Sequence, residues 1–569
     1  MTIGPGGELK LRLTGADILV ECLIEQGVDT IFGFPGGAVL NIYDSLYKYQ
    51  DRIRHILTSH EQGAAHAADG YARASGKAGV CLATSGPGAT NLVTGIATAY
   101  MDSIPVVAIT GNVASNLIGK DSFQEVDITG ITMPITKHNF MVKDVNDLAD
   151  IVRKAFRIAK EGRPGPVLID IPKDITAQYA EFEPAMPGTA DQDEYSVSDE
   201  AVEEAVRLIN ASEKPMIYAG GGVIASNAAG QLYEFAEKVQ CPVTLSLMGM
   251  GAFPATHELY TGMVGMHGTK VSNLAVTQCD LLIAIGARFS DRVISKIERF
   301  APNAKILHID IDEAEVNKNI RAAHYIVGDV KAVLSRLNRC IEPRNRTEWL
   351  DYVRKLKEKY QVTCRENGEL TPEYILNRIY EITGGDAIIA TEVGQHQIWT
   401  AQYYKFTKPR TFISSGGLGT MGFGLGASIG AYLARPDKRV FNIAGDGSFR
   451  MNLIELATAV EYNVPVIVVI MNNHALGMVR QWQNLFYDRR YSQSTLDRQT
   501  DFVKLAEAFG AVGYNLTDKK DVDRVLQEAL SLNRTVVINC EISRDHKVWP
   551  MVPPGAAIED VIMGEYDIR

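Results

Sequence analysis

The sequence predicts an α/β protein with three doubly wound parallel-sheet domains, of which the first and third resemble each other. Apolar, strand-like runs alternate with amphipathic or alanine-rich helical runs along almost all of the 569 residues, which is typical of proteins with parallel sheets. The chain is too long for one hydrophobic core, at about 150 residues per domain. The first and last thirds repeat the order strand, glycine-rich turn, helix, which indicates two similar sheets.

The first domain shows the alternation most clearly. Thr14 is the predicted N-cap of its first helix, and Gly27 is the predicted stop. The elements that follow are read from apolar runs bounded by glycine, proline and serine. They are strands at residues 30–32, 56–58, 80–84, 105–110 and 167–171, glycine-rich turns at 33–37 and 85–88, and an alanine-rich helix at 62–74.

The domain boundaries follow from changes in composition. Periodicity is lost from about Ala177 to Glu200, where acids and prolines accumulate, as in a linker. A charged helical stretch from Arg344 to Tyr360 precedes the last domain. We therefore predict an N-terminal domain at 1–180, a linker at 181–200, a central domain at 201–340, a linker helix at 341–370, and a C-terminal domain with a C-terminal arm at 371–569.

Composition argues against several classes of function. The apolar fraction of 46% and charged fraction of 22% are ordinary for a globular protein, and the net charge of −11 argues against nucleic acid as the main partner. The seven cysteines are scattered without a Cys-x-x-Cys pair, which fits neither a disulfide framework nor a zinc site. No run has the length of a membrane span, and the N-terminus lacks a signal or transit pattern. We expect a cytoplasmic protein with no membrane partner.

Two segments of the last domain predict a metal–diphosphate site. Gly445–Ser448, which reads Gly-Asp-Gly-Ser, and Asn473 each follow an apolar strand, and Asn473 lies 473 − 446 = 27 residues after Asp446. Adjacent parallel strands joined by one helix bring their carboxyl ends together. Carboxylate and amide oxygens there suit a Mg²⁺ that also binds phosphate. Gly-Asp-Gly alone is usually a surface turn, so the pairing with Asn473 carries the prediction.

Glu61 adds a second candidate group. An acid at a helix start is often only a surface charge that compensates the helix dipole. Here it follows an apolar strand and precedes a helix of small residues, which favours burial. With the Gly-Asp-Gly and Asn-Asn segments, the chain resembles the thiamine-diphosphate enzymes. That resemblance implies that Glu61 contacts the aminopyrimidine ring, and that the active site lies between two chains of a homodimer or homotetramer.

The resemblance narrows to the large catalytic subunits of the acetolactate synthase family, in its biosynthetic, FAD-containing branch. It covers the chain from Leu13 to Ile562. No fragment is specific alone, and their order along the chain makes the resemblance specific. The matching stretches are 33–37, 85–91, 118–125, 163–167, 265–268, 286–292, 394–397, 417–424 and 472–482.

The resemblance implies residues for thiamine diphosphate and Mg²⁺. Met421 and Met478 would fill a core by composition alone, and their places in glycine-rich motifs favour the cofactor instead. Asp446, Asn473 and the carbonyl of Ala475 would bind Mg²⁺. The residues facing thiamine diphosphate, besides Glu61, would be Gly394, Gln395, His396, Gly419, Met421, Gly445, Gly447, Ser448 and Met478.

The central domain resembles a flavin-binding domain at three predicted strand ends. The triple glycine at 220–222 and the Asp-x-Asp at 310–312 are common loop features, so neither indicates FAD by itself. The family usually has Asp where this chain has Ser290. The implied FAD residues are Arg163, Gly220, Gly221, Gly222, Met266, His267, Gly268, Gly286, Ala287, Arg288, Asp310, Ile311 and Asp329.

Fewer residues are implied for the 2-keto acid substrates. Phe123, Gln124 and Lys173 resemble catalytic residues of the entrance channel, and Trp482 resembles the residue that favours 2-ketobutyrate as acceptor. A tryptophan after a helix is more often an ordinary packing residue. Arg288 has two possible partners, the flavin or a substrate carboxylate.

The implied activity is decarboxylation of pyruvate and transfer of its two-carbon unit to a second 2-keto acid. Pyruvate as acceptor gives 2-acetolactate and 2-ketobutyrate gives 2-aceto-2-hydroxybutyrate, the first shared step of branched-chain amino-acid biosynthesis. The alternatives are a flavin oxidoreductase of the pyruvate-oxidase type and a flavin-free catabolic acetolactate synthase. The sequence leaves open the acceptor preference, the feedback inhibitor and a small regulatory subunit.

Overall fold

The computed structural model describes residues 2–3, 9–185, 197–360, 368–497 and 500–564. It contains three six-stranded parallel sheets with helices on their faces, which confirms the predicted fold class. Parts of the predicted linkers at 181–200 and 341–370, and the last residues of the arm, lie outside the described residues. No described helix is long and apolar enough to cross a membrane.

The first sheet has the strand order β4-β3-β5-β6-β8-β7, and a separate antiparallel sheet has the order β1-β2-β9. The strands are β1 (Thr2–Ile3), β2 (Leu9–Thr14), β3 (Thr30–Phe34), β4 (Arg54–Leu57), β5 (Gly79–Ala83), β6 (Val106–Asn112), β7 (His138–Met141), β8 (Val167–Pro172) and β9 (Tyr179–Phe182). The helices are α1 (Gly15–Glu25), α2 (Leu40–Lys48), α3 (Glu61–Ser75), α4 (Pro87–Asn91), α5 (Val93–Asp102), α6 (Ile128–Thr132), α7 (Leu148–Lys160) and α8 (Lys173–Ala177).

The local signals of the first domain are confirmed. The Thr14 hydroxyl accepts a hydrogen bond from the Asp17 amide at 3.1 Å, as an N-cap does. Helix α1 ends at Glu25, and Gly27 takes a positive φ of 74° just beyond it. The half-buried strand β7 was not predicted, because four residues without apolar alternation give no strand signal.

The central sheet has the order β12-β11-β10-β13-β14-β15. Its strands are β10 (Pro215–Ala219), β11 (Val243–Leu245), β12 (Tyr260–Met263), β13 (Leu281–Ile285), β14 (Lys305–Asp310) and β15 (His324–Val327). The helices are α9 (Asp199–Ala211), α10 (Gly221–Ala225), α11 (Ala229–Val239), α12 (Lys270–Gln278), α13 (Asp291–Ile294), α14 (Val330–Cys340) and the following α15 (Thr347–Lys359).

The third sheet has the order β17-β16-β18-β19-β21-β20. Its strands are β16 (Ala387–Thr391), β17 (Phe412–Ile413), β18 (Arg439–Gly445), β19 (Ile467–Asn472), β20 (Val512–Leu516) and β21 (Val536–Glu541). The helices are α16 (Pro372–Thr383), α17 (Gln395–Tyr403), α18 (Gly424–Ala434), α19 (Asp446–Asn452), α20 (Leu456–Glu461), α21 (Gly477–Phe486), α22 (Phe502–Ala508) and α23 (Val522–Ser531).

Each sheet has a point at which the strand order reverses, where parallel sheets bind ligands. In the central sheet it lies between β10 and β13, and Gly220 and Gly286 follow these strands. In the third sheet it lies between β16 and β18, and Glu392 and Asp446 lie just beyond them. The chemistry-bearing segments therefore start at the ends of buried strands.

Helices α3 and α18 join the first and third sheets through small residues. A side chain at Gly70 would overlap the backbone of Ala427, and one at Gly430 would overlap the backbone of Ala67. Glycine at these two positions therefore allows the backbones to approach closely. This contact holds the segment that begins with Glu61 against the third domain.

Candidate active site

The predicted metal-binding residues Asp446, Asn473 and Ala475 form what we call the metal end of the site. It lies where strands β18 and β19 finish side by side, with Gly445 opposite Met471. Asp446 begins helix α19 and is fully buried. Neither of its carboxylate oxygens accepts a well-formed hydrogen bond from any described residue. Arg450 Nη1 lies 3.5 Å from its Oδ2. Burial raises the pKa of Asp446 to about 6. A buried carboxylate whose two oxygens accept no well-formed hydrogen bond fits a divalent cation as a further partner.

The second half of the metal end is the loop after β19. Asn473 is buried, and its Oδ1 accepts from the Ala475 amide at 3.2 Å. His474 between them has a positive φ of 53°, which turns the backbone sharply. Among the described residues, no three His, Cys, Asp or Glu side chains cluster as a metal site. One carboxylate, one amide and one carbonyl would therefore need oxygens from phosphate or water to complete the shell.

The imidazole of His396 lies against two predicted cofactor glycines. A Cβ at Gly445 would lie 2.8 Å from His396 Nδ1, and one at Gly394 would lie 2.8 Å from its Cε1. Burial lowers the pKa of His396 to about 3, so the ring is neutral at physiological pH. Its Nε2 is buried and has no hydrogen-bond partner among the described residues. This nitrogen is available to a ligand.

Sequence reasoning missed Glu392, which joins two of the predicted cofactor segments. Its carboxylate accepts from the Gly422 amide at 2.7 Å, the Leu425 amide at 3.1 Å and the Ser448 hydroxyl at 2.9 Å. Burial raises its pKa. It thus fixes the turn that contains Met421 relative to Ser448. An acid directly after the apolar strand β16 is the same signal that identified Asp446.

Glu61 is the first residue of α3 and is buried, as predicted. Its Oε2 accepts from Asn91 Nδ2 at 3.0 Å. The two preceding amides, of Ser59 and His60, donate to Glu455 in the third domain at 3.1 and 3.0 Å. Burial raises the pKa of Glu455. Sequence reasoning missed Glu455 and Asn91, because their partners are distant in the chain.

One cavity of about 2440 Å³ runs between the three sheets. It is larger than the roughly 300–1,000 Å³ of an ordinary small-ligand pocket. All the predicted FAD residues line it except Gly220 and Gly268. Of the residues predicted for thiamine diphosphate and substrate, it is lined by Gly394, Gly419, Met478, Trp482 and Arg288.

Two arginines of the cavity wall, Arg163 and Arg288, already have protein partners. Arg163 Nη1 contacts Asp312 Oδ2 at 3.1 Å and Glu315 Oε1 at 2.8 Å. Arg288 Nη2 donates to the Met101 carbonyl at 3.0 Å. Burial raises the pKa of Asp310. The size of the cavity, its glycine-rich loops and its two guanidinium groups fit a dinucleotide such as FAD.

Gly220 lies behind the cavity wall and packs against Gly286, which lines the cavity. A Cβ at Gly220 would overlap the Gly286 carbonyl, and Gly286 has a positive φ of 54°. The two loops at the strand reversal therefore pack backbone against backbone.

The predicted entrance-channel residues do not line the cavity of this chain. Phe123 is 88% exposed, and Lys173 begins α8 at the surface. Gln124 has a positive φ of 59° and lies beside Gly86. The metal residues and the diphosphate segment Gly445–Ser448 also lie outside the cavity wall. One chain therefore gathers the central-domain residues around the cavity and the metal residues at the ends of β18 and β19, and leaves Phe123 and Lys173 exposed at its surface.

The arrangement of sheets and strand-end segments is that of an enzyme that binds a diphosphate cofactor. Three family models match the chain: the thiamine pyrophosphate enzyme N-terminal TPP binding domain at residues 13–131, the central domain at 202–337 and the C-terminal TPP binding domain at 392–540. The chain belongs to the thiamine pyrophosphate enzyme family.

Within that family it is similar to acetolactate synthase large subunits. It is 48% identical over 565 residues to the probable large subunit of Methanocaldococcus jannaschii, covering 97% of this chain and 95% of the relative. It is 46% identical over 552 residues to the isozyme 2 large subunit of Escherichia coli, covering 97% and 99%. For the large subunit of Mycobacterium tuberculosis the identity is 48% over 565 residues, covering 97% and 91%. The predicted family is confirmed.

Proposed function

We propose that the protein is an acetolactate synthase, a transferase of aldehyde or ketone residues. It decarboxylates pyruvate and transfers the hydroxyethyl unit to a second pyruvate or to 2-ketobutyrate. The near-full-length similarity to acetolactate synthase large subunits carries this proposal. The cavity that joins Met478 and Trp482 to the central domain supports it, because both residues follow the metal loop.

We assign the metal and cofactor roles from the geometry above. Asp446, Asn473 and the Ala475 carbonyl hold Mg²⁺, and the segment Gly445–Ser448 lets the backbone approach a diphosphate. Thiamine diphosphate, when bound, supplies the electron sink for decarboxylation. The neutral ring of His396 faces the cofactor segments. Glu61 holds a proton at the aminopyrimidine nitrogen of the cofactor bound to a second chain.

We propose FAD as a structural group in the large cavity, with no net redox change in the reaction. Arg163 and Arg288 bind its charged part, and the loops at Gly222, Gly286 and Asp310 line its path. Arg163 would exchange its present partners, Asp312 and Glu315, for the flavin diphosphate.

We propose an assembly of two or four copies, in which Phe123, Gln124 and Lys173 of one chain meet the metal end of another. The exposure of Phe123 supports this proposal, because it leaves the side chain accessible to a second copy of the chain. The relatives are named large subunits, so we also propose a small regulatory partner. We expect the assembly in the cytoplasm.

A product assay tests the proposal. Pyruvate is supplied with Mg²⁺, thiamine diphosphate and FAD present, and each is then omitted in turn. We expect acetolactate to form only when Mg²⁺ and thiamine diphosphate are present. Absence of acetolactate from the fully loaded protein would overturn the function.

A second assay separates the synthase from a flavin oxidoreductase. The large cavity brings the flavin loops near Met478, so electron transfer is geometrically open. The loaded protein is mixed with pyruvate without oxygen, and flavin absorbance is followed. We expect no stoichiometric bleaching in the first turnover. Full bleaching would favour the oxidoreductase.

A further inference from the structure

Helix α21 has one fully buried side chain, that of Gln481. It follows the metal loop directly and presents Met478 and Trp482 to the cavity. Of its ten residues, all of which the structure describes, only Gln481 is buried. Most surface helices are fixed by an apolar stripe. Met478 also packs against the core, and Arg480 Nη2 lies 3.6 Å from Asp545 Oδ1, so the buried amide of Gln481 acts together with these contacts to place Met478 and Trp482.

The oxygen and the nitrogen of the Gln481 side-chain amide both bind the C-terminal arm, the segment that follows strand β21. Its Oε1 accepts from the Val548 amide at 2.8 Å, and its Nε2 donates to the Val548 carbonyl at 3.0 Å. The same Oε1 accepts from Gln395 Nε2 at 3.0 Å. Pairing with both peptide groups of one residue is directional, so it fixes the helix both along the arm and across it.

The amide chain continues to the metal loop. Gln395 Nε2 also donates to the His546 carbonyl at 3.1 Å, and Gln395 Oε1 accepts from Asn473 Nδ2 at 3.1 Å. Gln395, Gln481 and Asn473 are all buried. Because a buried amide left unpaired costs free energy, the loss of one of these hydrogen bonds destabilises the whole network of three side-chain amides.

The arm continues from Val548 to the central domain. The Val552 amide donates to the Met266 carbonyl at 2.8 Å, and His267 Nδ1 lies 3.4 Å from the Pro550 carbonyl. Met266 and His267 line the cavity at its flavin end. The part of the arm from His546 to Val552 thus contacts both the metal end of the site and the flavin end of the cavity.

We propose that Gln481 is a positioning residue that sets the acceptor preference and the metal–diphosphate affinity. It acts through the arm backbone at Val548, which holds Met478 and Trp482 at the cavity and, through Gln395, holds Asn473. This inference rests on the proposed acetolactate synthase function.

The test uses the full-length holoenzyme and two substitutions. Gln481→Leu keeps the size and removes every hydrogen bond, whereas Gln481→Glu keeps an acceptor for the Val548 amide. The matched control is Asn484→Ala on the same helix, because Asn484 Nδ2 donates to Tyr491 Oη at 2.6 Å rather than to the arm. Competing pyruvate and 2-ketobutyrate give the ratio of the two products. Fluorescence titration of the cofactor-free protein with Mg²⁺ and thiamine diphosphate gives the Kd.

We expect Gln481→Leu to weaken the Kd about tenfold and to change the product ratio severalfold, because several buried hydrogen bonds are lost together. Gln481→Glu should fall between it and the wild type, and Asn484→Ala should match the wild type. Should Gln481→Leu fail to fold, Gln481→Glu carries the test.

Two outcomes would overturn the proposal. One is a wild-type ratio and Kd in the folded Gln481 variants. The other is an equal change in Asn484→Ala, which would indicate general loosening of the helix. A wild-type protein that makes no acetolactate would instead overturn the proposed function, and the Kd comparison would still decide the role of Gln481.

Discussion

Asp446 should destabilise the metal-free protein, and its replacement by asparagine should relieve that cost. In the folded chain its carboxylate is buried and accepts no well-formed hydrogen bond from the described residues, while Arg450 and His474 lie near enough to lower its pKa in part. Burial raises its pKa from 3.8 to about 6. That difference corresponds to about 3 kcal/mol of lost stability once the carboxylate ionises in both states.

The sign follows from proton binding. Between pH 4 and 6 the folded state binds a proton that the unfolded chain has released, so stability falls as pH rises through this window. Below it both states are protonated and the cost vanishes. Asp446→Asn should therefore be more stable than the wild type at pH 8, by up to about 3 kcal/mol, and the advantage should disappear near pH 4. For a domain of about 200 residues, this is roughly 6–12 °C in Tm.

The assay is thermal unfolding of the metal-free protein at pH 4 to 8, repeated with Mg²⁺ and thiamine diphosphate. We expect the two ligands to stabilise the wild type and to have little effect on Asp446→Asn. Asp170→Asn is a matched control. Burial also raises the pKa of Asp170 to about 6, but its carboxylate accepts from Thr110 and Asn112 at 2.7 and 2.6 Å. That substitution should not stabilise the protein. A less stable Asp446→Asn at pH 8, or equal gains in both variants, would refute the reasoning.

Three further predictions concern the groups around this site. Glu61→Gln should abolish most turnover while thiamine diphosphate still binds; activity assays and titration check this, and near-normal turnover would argue against its role. Glu392→Leu should weaken thiamine diphosphate binding at least about tenfold, because two backbone amides and the Ser448 hydroxyl lose their acceptor; an unchanged Kd would separate Glu392 from the cofactor. Gly430→Ala should lower the Tm by several degrees, because the added methyl overlaps the Ala67 backbone, whereas Gly230→Ala, with open space around it, should not.

The fold was predictable because its signals are local. Apolar runs identified the strands of the first sheet except β7, as well as the strands before Asp446 and Asn473, and the cap at Thr14 marked the first helix. The strand ends then placed Asp446 and Asn473 side by side, as the pairing of β18 with β19 bears out.

The supporting groups were less accessible from the sequence. Glu455 meets Ser59 and His60 nearly 400 residues away in the chain, so no spacing rule connects them. Gln481 owes its importance to the backbone of Val548, which has no side-chain signature. The antiparallel strand Tyr179–Phe182 lies across the predicted boundary at residue 180. It has no local signal, because its partner β2 is also distant in the chain.

Carbon balance tests the central claim most directly. The loaded protein is supplied with pyruvate labelled with ¹³C at all three carbons, and the products, including the carbon dioxide that leaves from the carboxyl carbon, are followed by nuclear magnetic resonance. We expect one acetolactate and one carbon dioxide for every two pyruvate molecules consumed. Acetate or an activated acetyl product, with one carbon dioxide for every pyruvate and no acetolactate, would contradict the account.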